Sequence, residues 1–297
     1  MTRAVEIVGH RGARGLFPEN TIDGFREAFD LGVRTFELDV GMTADGVVVV
    51  SHDLALNPAI TRDGSGRFLS GTPPLIHALP WSELCRFDVG RIRPGSPYRM
   101  AHRAQQPNDG ARVPRLADVL REVPGARLVI ELKTDPRYPE RTVPAEHLAD
   151  AVLAIVDAAG AAERVIVESF DWRGPLHIRR IRPHMRLAWL TRPETERDAA
   201  LWWNGLTPEA FGGCVPATVA AQSREMPGDI WAPAYESLTR PRVSKAHDLG
   251  LRVVPWTVNR RAAMRRLLGW GVDGLITDRP DTAMVVCAAT ATPDQSA

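Results

Sequence analysis

The feature that most constrains this chain is an alternation, repeated eight times, of a short apolar run rich in β-branched residues and a segment with helical periodicity. The runs are AVEIVG (4–9), RTFELDV (34–40), RLVIELK (127–133), RVIVESF (164–170), RLAWLT (186–191), DIWAPAY (229–235), RVVPWTVN (252–259) and DGLITD (273–278). Parallel strands need a crossover between them, usually a helix, and strands covered on both faces read as nearly continuous apolar runs. Eight such units predict an α/β protein closed into a (β/α)8 TIM barrel. A doubly wound open sheet is the alternative with the same alternation. The 297 residues accommodate one barrel of about 250 residues with decoration, so residues 1–297 are expected to form a single domain.

Helices are expected over 20–31, with Asn20 or Thr21 as N-cap and Gly32 as the stop, and over 143–159, 172–181, 240–249 and 260–269, with a last one from Arg279. The second strand should turn back at TADG into a returning strand, VVVVSH (47–52). From 54 to 113 the alternation stops. Pro, Gly and Arg dominate there and only Trp81 to Phe87 reads as a helix, which predicts a small inserted subdomain or lid after strand 2. The stretch 195–227 has no clean periodicity, and the small, polar tail 288–297 is expected to be disordered.

Charge and composition remove several function classes. A formal net charge of +1 provides no global field to draw in nucleic acid. No apolar run approaches the ~20 residues that span a bilayer, so no transmembrane segment is expected. Cys85, Cys214 and Cys287 lack the spacing of a disulfide framework or a thiolate zinc site. The first strand starts so near residue 1 that a signal peptide does not fit before it, and a cytoplasmic location is expected.

The chemistry concentrates between Gly9 and Asp53. Side chains two apart on a strand share a face, so Glu37 and Asp39 point the same way, as do Glu131 and Lys133. Both pairs lie at C-terminal strand ends, where barrels of this kind build their sites. Three carboxylates converging there would repel one another unless a hard divalent cation, Mg²⁺ or Ca²⁺, sat between them. A structural ion network with Arg34 or Lys133 is the plainer alternative. His10 and His52, each at a strand end, suit a base and an acid around a reaction centre. Arg11 offers a planar fork and Lys133 a point charge for a phosphate. Lys133 on a barrel strand also admits a Schiff-base reading. Glu19 stands where a first-turn helix acid would.

G-H-R-G followed by P-E-N-T, then E-L-D-V, S-H-D, I-E-L-K, E-S-F-D, P-W-T-V-N and D-G-L-I-T-D-R-P, in this order, resemble the glycerophosphodiester phosphodiesterase family from Gly9 to Pro280. The resemblance implies a TIM barrel with an insertion after the second strand, acting on glycerophosphodiesters to give glycerol 3-phosphate and an alcohol, in lipid and glycerol metabolism. It implies His10 and His52 as the general acid/base pair and Glu37, Asp39 and Glu131 as ligands of one divalent cation. Arg11 and Lys133 are similar to the family's phosphate contacts, and Glu19 and Asn20 to its supporting pair, with Glu19 near the metal. Phe170 and Trp256 resemble the apolar wall beside the substrate. Within the same resemblance stand two alternatives: a lysophospholipase D-type enzyme whose insertion accepts an acyl chain through Trp81 and Phe87, and a barrel that binds glycerophosphodiesters without cleaving them. The departures lie mostly in the insertion, where LNPAITRDGSG replaces the commoner L-x-R-T-T-x-G run, and at Arg115, where Thr is usual.

Overall fold

The computed structural model describes residues 5–223 and 229–291. Strands β1 (Glu6–His10), β2 (Thr35–Met42), β3 (Val48–Val50), β4 (Arg127–Leu132), β5 (Val165–Ser169), β6 (Leu187–Thr191), β7 (Ile230–Pro233), β8 (Arg252–Val253) and β9 (Gly274–Thr277) form one sheet. Its order is β8-β7-β6-β5-β4-β2-β1-β9, with every neighbouring pair on that path parallel. Only β3 is antiparallel, pairing with β2 as the returning arm of the hairpin. Backbone bonds from Asp273 N to Val253 O (2.9 Å), Ile276 N to Pro255 O (3.0 Å) and Val258 N to Ile276 O (2.9 Å) join the two ends of the path. The result is the eight-stranded parallel barrel rather than an open sheet.

The expected strand 252–259 keeps only Arg252 and Val253 as regular strand. Pro255 has no N–H to give the ladder, and beyond it the chain keeps isolated contacts, a bridge between Ala234 and Trp256 on one side and the Val258 N to Ile276 O bond on the other. The helix expected at 20–31 runs Ile22–Asp30, and of the two candidate caps it is Thr21 that accepts from Gly24 N at 3.0 Å. The unparsed stretch holds short helices at Pro193–Arg197, Ala199–Trp202 and Val215–Gln222. The last helix continues through Ala291, four residues into the tail expected to be disordered; 292–297 lie outside the described residues.

Alternation along the strands sorts side chains into two cores. Phe36, Leu38 and Val40 of β2, with Leu128, Ile130 and Leu132 of β4, face outward into the large core shared with the helices. There Trp172 stacks on Trp203 with centroids 4.3 Å apart and meets Trp189 edge-on at 5.0 Å. Inside the barrel lies a smaller apolar layer of Val8, Val129, Ile166, Ala188, Ile230, Val254 and Ile276. Below it, Glu6 closes the N-terminal end by accepting from Thr35 (2.8 Å), Arg127 (2.6 Å) and Arg252 (2.8 Å). Above it the inward positions become polar, and that layer is the site.

The segment 54–113 has almost no regular structure beyond helices at Trp81–Leu84 and Pro97–Ala101, and the helix expected to reach Phe87 stops at Leu84. It folds over an apolar cluster of its own, Leu56, Ile76, Leu84, Val89 and Val113 with Val49 of β3. Among the described residues no helix is long and apolar enough to cross a membrane.

Candidate active site

A period of two along each strand determines what stands above the apolar layer. Two residues beyond Val8 comes His10, beyond Val129 Glu131, beyond Ile166 Glu168 and beyond Ile276 Asp278. Register then places His10 beside Glu37, Asp39 beside Glu131 and Glu131 beside Glu168. These groups surround a cavity of about 300 Å³ at the C-terminal end of the barrel, lined also by Arg11, Arg14, His52, Lys133, Phe170, Arg192, Trp202 and Trp256.

Glu37, Glu131 and Glu168 each present an oxygen within 4.8 Å of the others. None is more than 8% exposed. Burial, with Asp39, Glu168 and Glu131 as neighbours, pushes the Glu37 carboxyl well above its ordinary range. Burial next to Glu131 and Asp39 does the same to Glu168. Asp39 stands beside this group, its carboxylate shared among Asn20 Nδ2 (2.9 Å), Arg11 Nε (3.3 Å) and Lys133 Nζ (3.4 Å). Burial works to raise it as well, but Arg11, His52 and Lys133 outweigh that and hold it well below the carboxylate range. Four carboxylates thus face two cations, Arg11 and Lys133, and Glu37 Oε1, Asp39 Oδ1 and Glu168 Oε2 have no hydrogen-bond partner. Buried oxygens left over in an acidic pocket are a donor set that could hold a hard divalent cation.

Each histidine is oriented by a carboxylate. His10 Nδ1 donates to Asp278 Oδ1 at 2.6 Å, which leaves Nε2 facing the cavity, 3.6 Å from Glu37. Asp278 is itself fixed by Arg14 Nε (2.7 Å) and Asn259 Nδ2 (2.7 Å). Burial, aided by Arg14 and opposed by Asp278, lowers His10 to about 4, so its imidazole is neutral at pH 7. His52 Nδ1 donates to Asp53 Oδ1 at 2.7 Å, and Asp53 is held in turn by Asn57 Nδ2 at 2.8 Å.

Arg11 sits in left-handed backbone (φ 52°), uncommon outside glycine, and its N–H donates to Glu37 Oε2 at 3.0 Å. The turn fits because residue 9 is glycine: a Cβ there would lie 1.9 Å from Gly12 O. Lys133 donates to Glu131 at 2.7 Å. Burial alone would lower this lysine, but Glu131 and Asp39 raise it, so it stands as an ammonium rather than the free amine a Schiff base requires.

Glu19 is engaged by Arg11 and the insertion. Arg11 donates to its Oε1 at 2.9 Å and the Tyr98 hydroxyl of the insertion to its Oε2. Asn20 bonds Asp39, as a supporting residue would. Phe170 and Trp256 meet edge to face at 5.3 Å and form one wall. Trp81 and Phe87 pack against the insertion's own cluster and line no part of the cavity, to which the insertion contributes Leu54.

Residue-by-residue reading gave no role to Glu168, Asp53 or Asp278, although E-S-F-D, S-H-D and L-I-T-D contain them. The inward position two beyond Ile166 was available as a signal for Glu168. Tyr98 carries no such signal.

Comparison with known proteins identifies the family and agrees with the fold. The model of the Glycerophosphoryl diester phosphodiesterase family matches residues 10–282. A glycerophosphodiester phosphodiesterase of Caldanaerobacter subterraneus subsp. tengcongensis is 25% identical over 279 residues, covering 93% of this chain and 95% of the relative. One from Bacillus subtilis is 29% identical, covering 92% and 83%. Among solved structures, a Silicibacter pomeroyi protein provisionally named a glycerophosphoryl diester phosphodiesterase superposes with a TM-score of 0.88 at 34% identity, covering 98% of this chain and 95% of that one. An Oleispira antarctica phosphodiesterase, solved with the product sn-glycerol-3-phosphate, shares the fold with a TM-score of 0.68 at 19% identity, covering 95% and 96%. The chain belongs to the glycerophosphoryl diester phosphodiesterase family.

Proposed function

We propose that this protein hydrolyses glycerophosphodiesters to glycerol 3-phosphate and an alcohol, with a divalent cation and two histidines. The observation that carries the reading is the convergence, at one barrel end, of two carboxylate-oriented imidazoles with an acidic group whose buried oxygens lack partners. Glu37, Asp39 and Glu131 would hold the cation, with Glu168 supplying a further oxygen. Bound there, Mg²⁺ or Ca²⁺ would neutralise charge on the phosphoryl oxygens.

The chain's own groups account for the rest. Arg11 and Lys133, both lining the cavity, face the phosphate as fixed cations, and such preorganised charge usually supplies the largest catalytic contribution. His10, neutral with Nε2 free, takes the proton from the attacking hydroxyl: from water, which gives glycerol 3-phosphate directly, or from the substrate's own glycerol hydroxyl, which gives a cyclic phosphate that water then opens to glycerol 3-phosphate. His52 Nε2 gives a proton to the departing alkoxide as the P–O bond breaks. Asp278 and Asp53 keep the two rings in place. Phe170 and Trp256 exclude water from one side.

Assay of the purified protein against glycerophosphocholine, glycerophosphoglycerol and glycerophosphoinositol tests the proposal. Release of glycerol 3-phosphate that falls at least about 100-fold in both His10→Ala and His52→Ala is expected. A wild-type protein inert toward all three, or full activity in either variant, refutes it.

A further inference from the structure

The outer rim of the cavity carries positive charge that the reaction does not use. Arg137 and Arg192 come from the loops that follow β4 and β6, and each lies over an aromatic ring of the cavity wall. The Arg192 guanidinium is 4.9 Å from the centroid of Phe170, and that of Arg137 is 5.1 Å from the centroid of Trp202. These are the stacking positions a quaternary ammonium would take on an aromatic face. Both are already filled by guanidinium groups.

The partners of the two arginines differ. Asp135 lines the cavity outside the carboxylate group, and Arg137 grips both its oxygens, at 3.0 and 2.6 Å. Arg192 faces Glu194 at 3.7 Å, a side chain 58% exposed, and acts on Asp135 from farther away. Arg192 Nε is buried without a hydrogen-bond partner. Asp135 and Glu194 match the two arginines in number, but Arg192 is the loosely held cation of the pair. Of the two arms of a glycerophosphodiester, the glycerol arm is uncharged, so the Arg192 guanidinium discriminates among the alcohols on the other arm.

We infer that the preferred leaving alcohol carries its own anionic group, a phosphate or carboxylate received by Arg192, and that choline-type alcohols are disfavoured. The inference rests on the phosphodiesterase reading and specifies its substrate class. A cationic headgroup would have to displace a guanidinium from Phe170 or Trp202 and would meet like charge there. An anionic one would find, in the Arg192 guanidinium, a planar fork suited to phosphate or carboxylate.

The test compares kcat/KM of the purified protein on glycerophosphoinositol 4-phosphate, glycerophosphoinositol and glycerophosphocholine. The first two differ by one phosphate. We expect at least a tenfold preference for the phosphorylated substrate over its neutral counterpart, with glycerophosphocholine slowest. In Arg192→Gln that preference should shrink at least fivefold while glycerophosphoinositol changes less than twofold, and Arg192→Lys should restore part of it. Turnover of all three at similar rates, or an unchanged preference in Arg192→Gln, overturns this inference alone. No turnover of any of them overturns the phosphodiesterase reading and this inference with it.

Discussion

Replacing Glu168 by Gln should make the metal-free protein more stable. Glu168 is 1% exposed, its Oε2 has no partner, and burial beside Glu131 and Asp39 pushes its carboxyl well above the ordinary value of 4.5. A carboxyl in that position takes up a proton rather than bear the cost of a buried charge. In chelator at pH 7 the cost is therefore at most about 3 kcal/mol, the work of protonating an ordinary carboxyl at that pH. The sign follows from proton counting: above pH 4.5 the folded state binds more protons than the unfolded state. Stability then declines as pH rises from 4.5 through the raised folded-state value, and Gln removes that decline. Gln preserves the shape and can donate to the neighbouring carboxylates. A gain of about 1–3 kcal/mol corresponds to a Tm rise of roughly 2–5 °C for a chain of this size. Differential scanning calorimetry in EDTA at pH 7 measures it. With saturating Mg²⁺ or Ca²⁺ the gain should vanish or reverse, because the wild type is stabilised by binding in proportion to its affinity. A Glu168→Gln protein less stable than wild type in EDTA would refute the claim that this carboxylate is held there at a cost.

Asp278→Asn retains the size of the side chain but removes the charge that orients His10 and Arg14. Its kcat should fall by about 100-fold with KM changed less than about threefold, because general acid–base positioning is lost while the cavity remains; steady-state kinetics on one glycerophosphodiester decides. Gly9→Ala would bring a Cβ to 1.9 Å from Gly12 O and 3.1 Å from Phe36. The turn carrying His10 and Arg11 must then shift, at a cost of roughly 1–3 kcal/mol, and thermal melts should show a lower Tm together with reduced activity.

The barrel was legible because its signal is local. Phe36, Leu38 and Val40 alternate with Glu37 and Asp39, and eight such runs separated by helices leave few topologies. His10, Glu131 and Lys133 could be named for the same reason, each lying at or just beyond a strand end in a period that sends it inward; Glu37 shares that period within β2, and Arg11 follows His10 in the turn after β1. Part of what escaped depends on contacts distant in sequence. Asp278 reaches His10 across 268 residues, and Tyr98 reaches Glu19 across 79, from an insertion with no periodicity to read. Glu19 is held by Arg11 and Tyr98, partners that no spacing reveals. The expected role of the insertion in lining the cavity reduces to Leu54, because Trp81 and Phe87 satisfy the insertion's own core. The rim arginines Arg137 and Arg192 lie in loops, where burial and partners are decided by tertiary packing alone.

The central claim is that the buried acids serve a divalent cation required for phosphodiester cleavage. Its most direct test is glycerol 3-phosphate release by the purified protein, measured after chelation with EDTA and again on stepwise return of Mg²⁺, Ca²⁺ or Mn²⁺. The account predicts activity lost in EDTA and restored by at least one of these ions, with Glu37→Gln and Glu131→Gln each requiring at least about tenfold more ion for half-restoration. Activity undiminished in EDTA, or ion requirements unchanged in both variants, would contradict it.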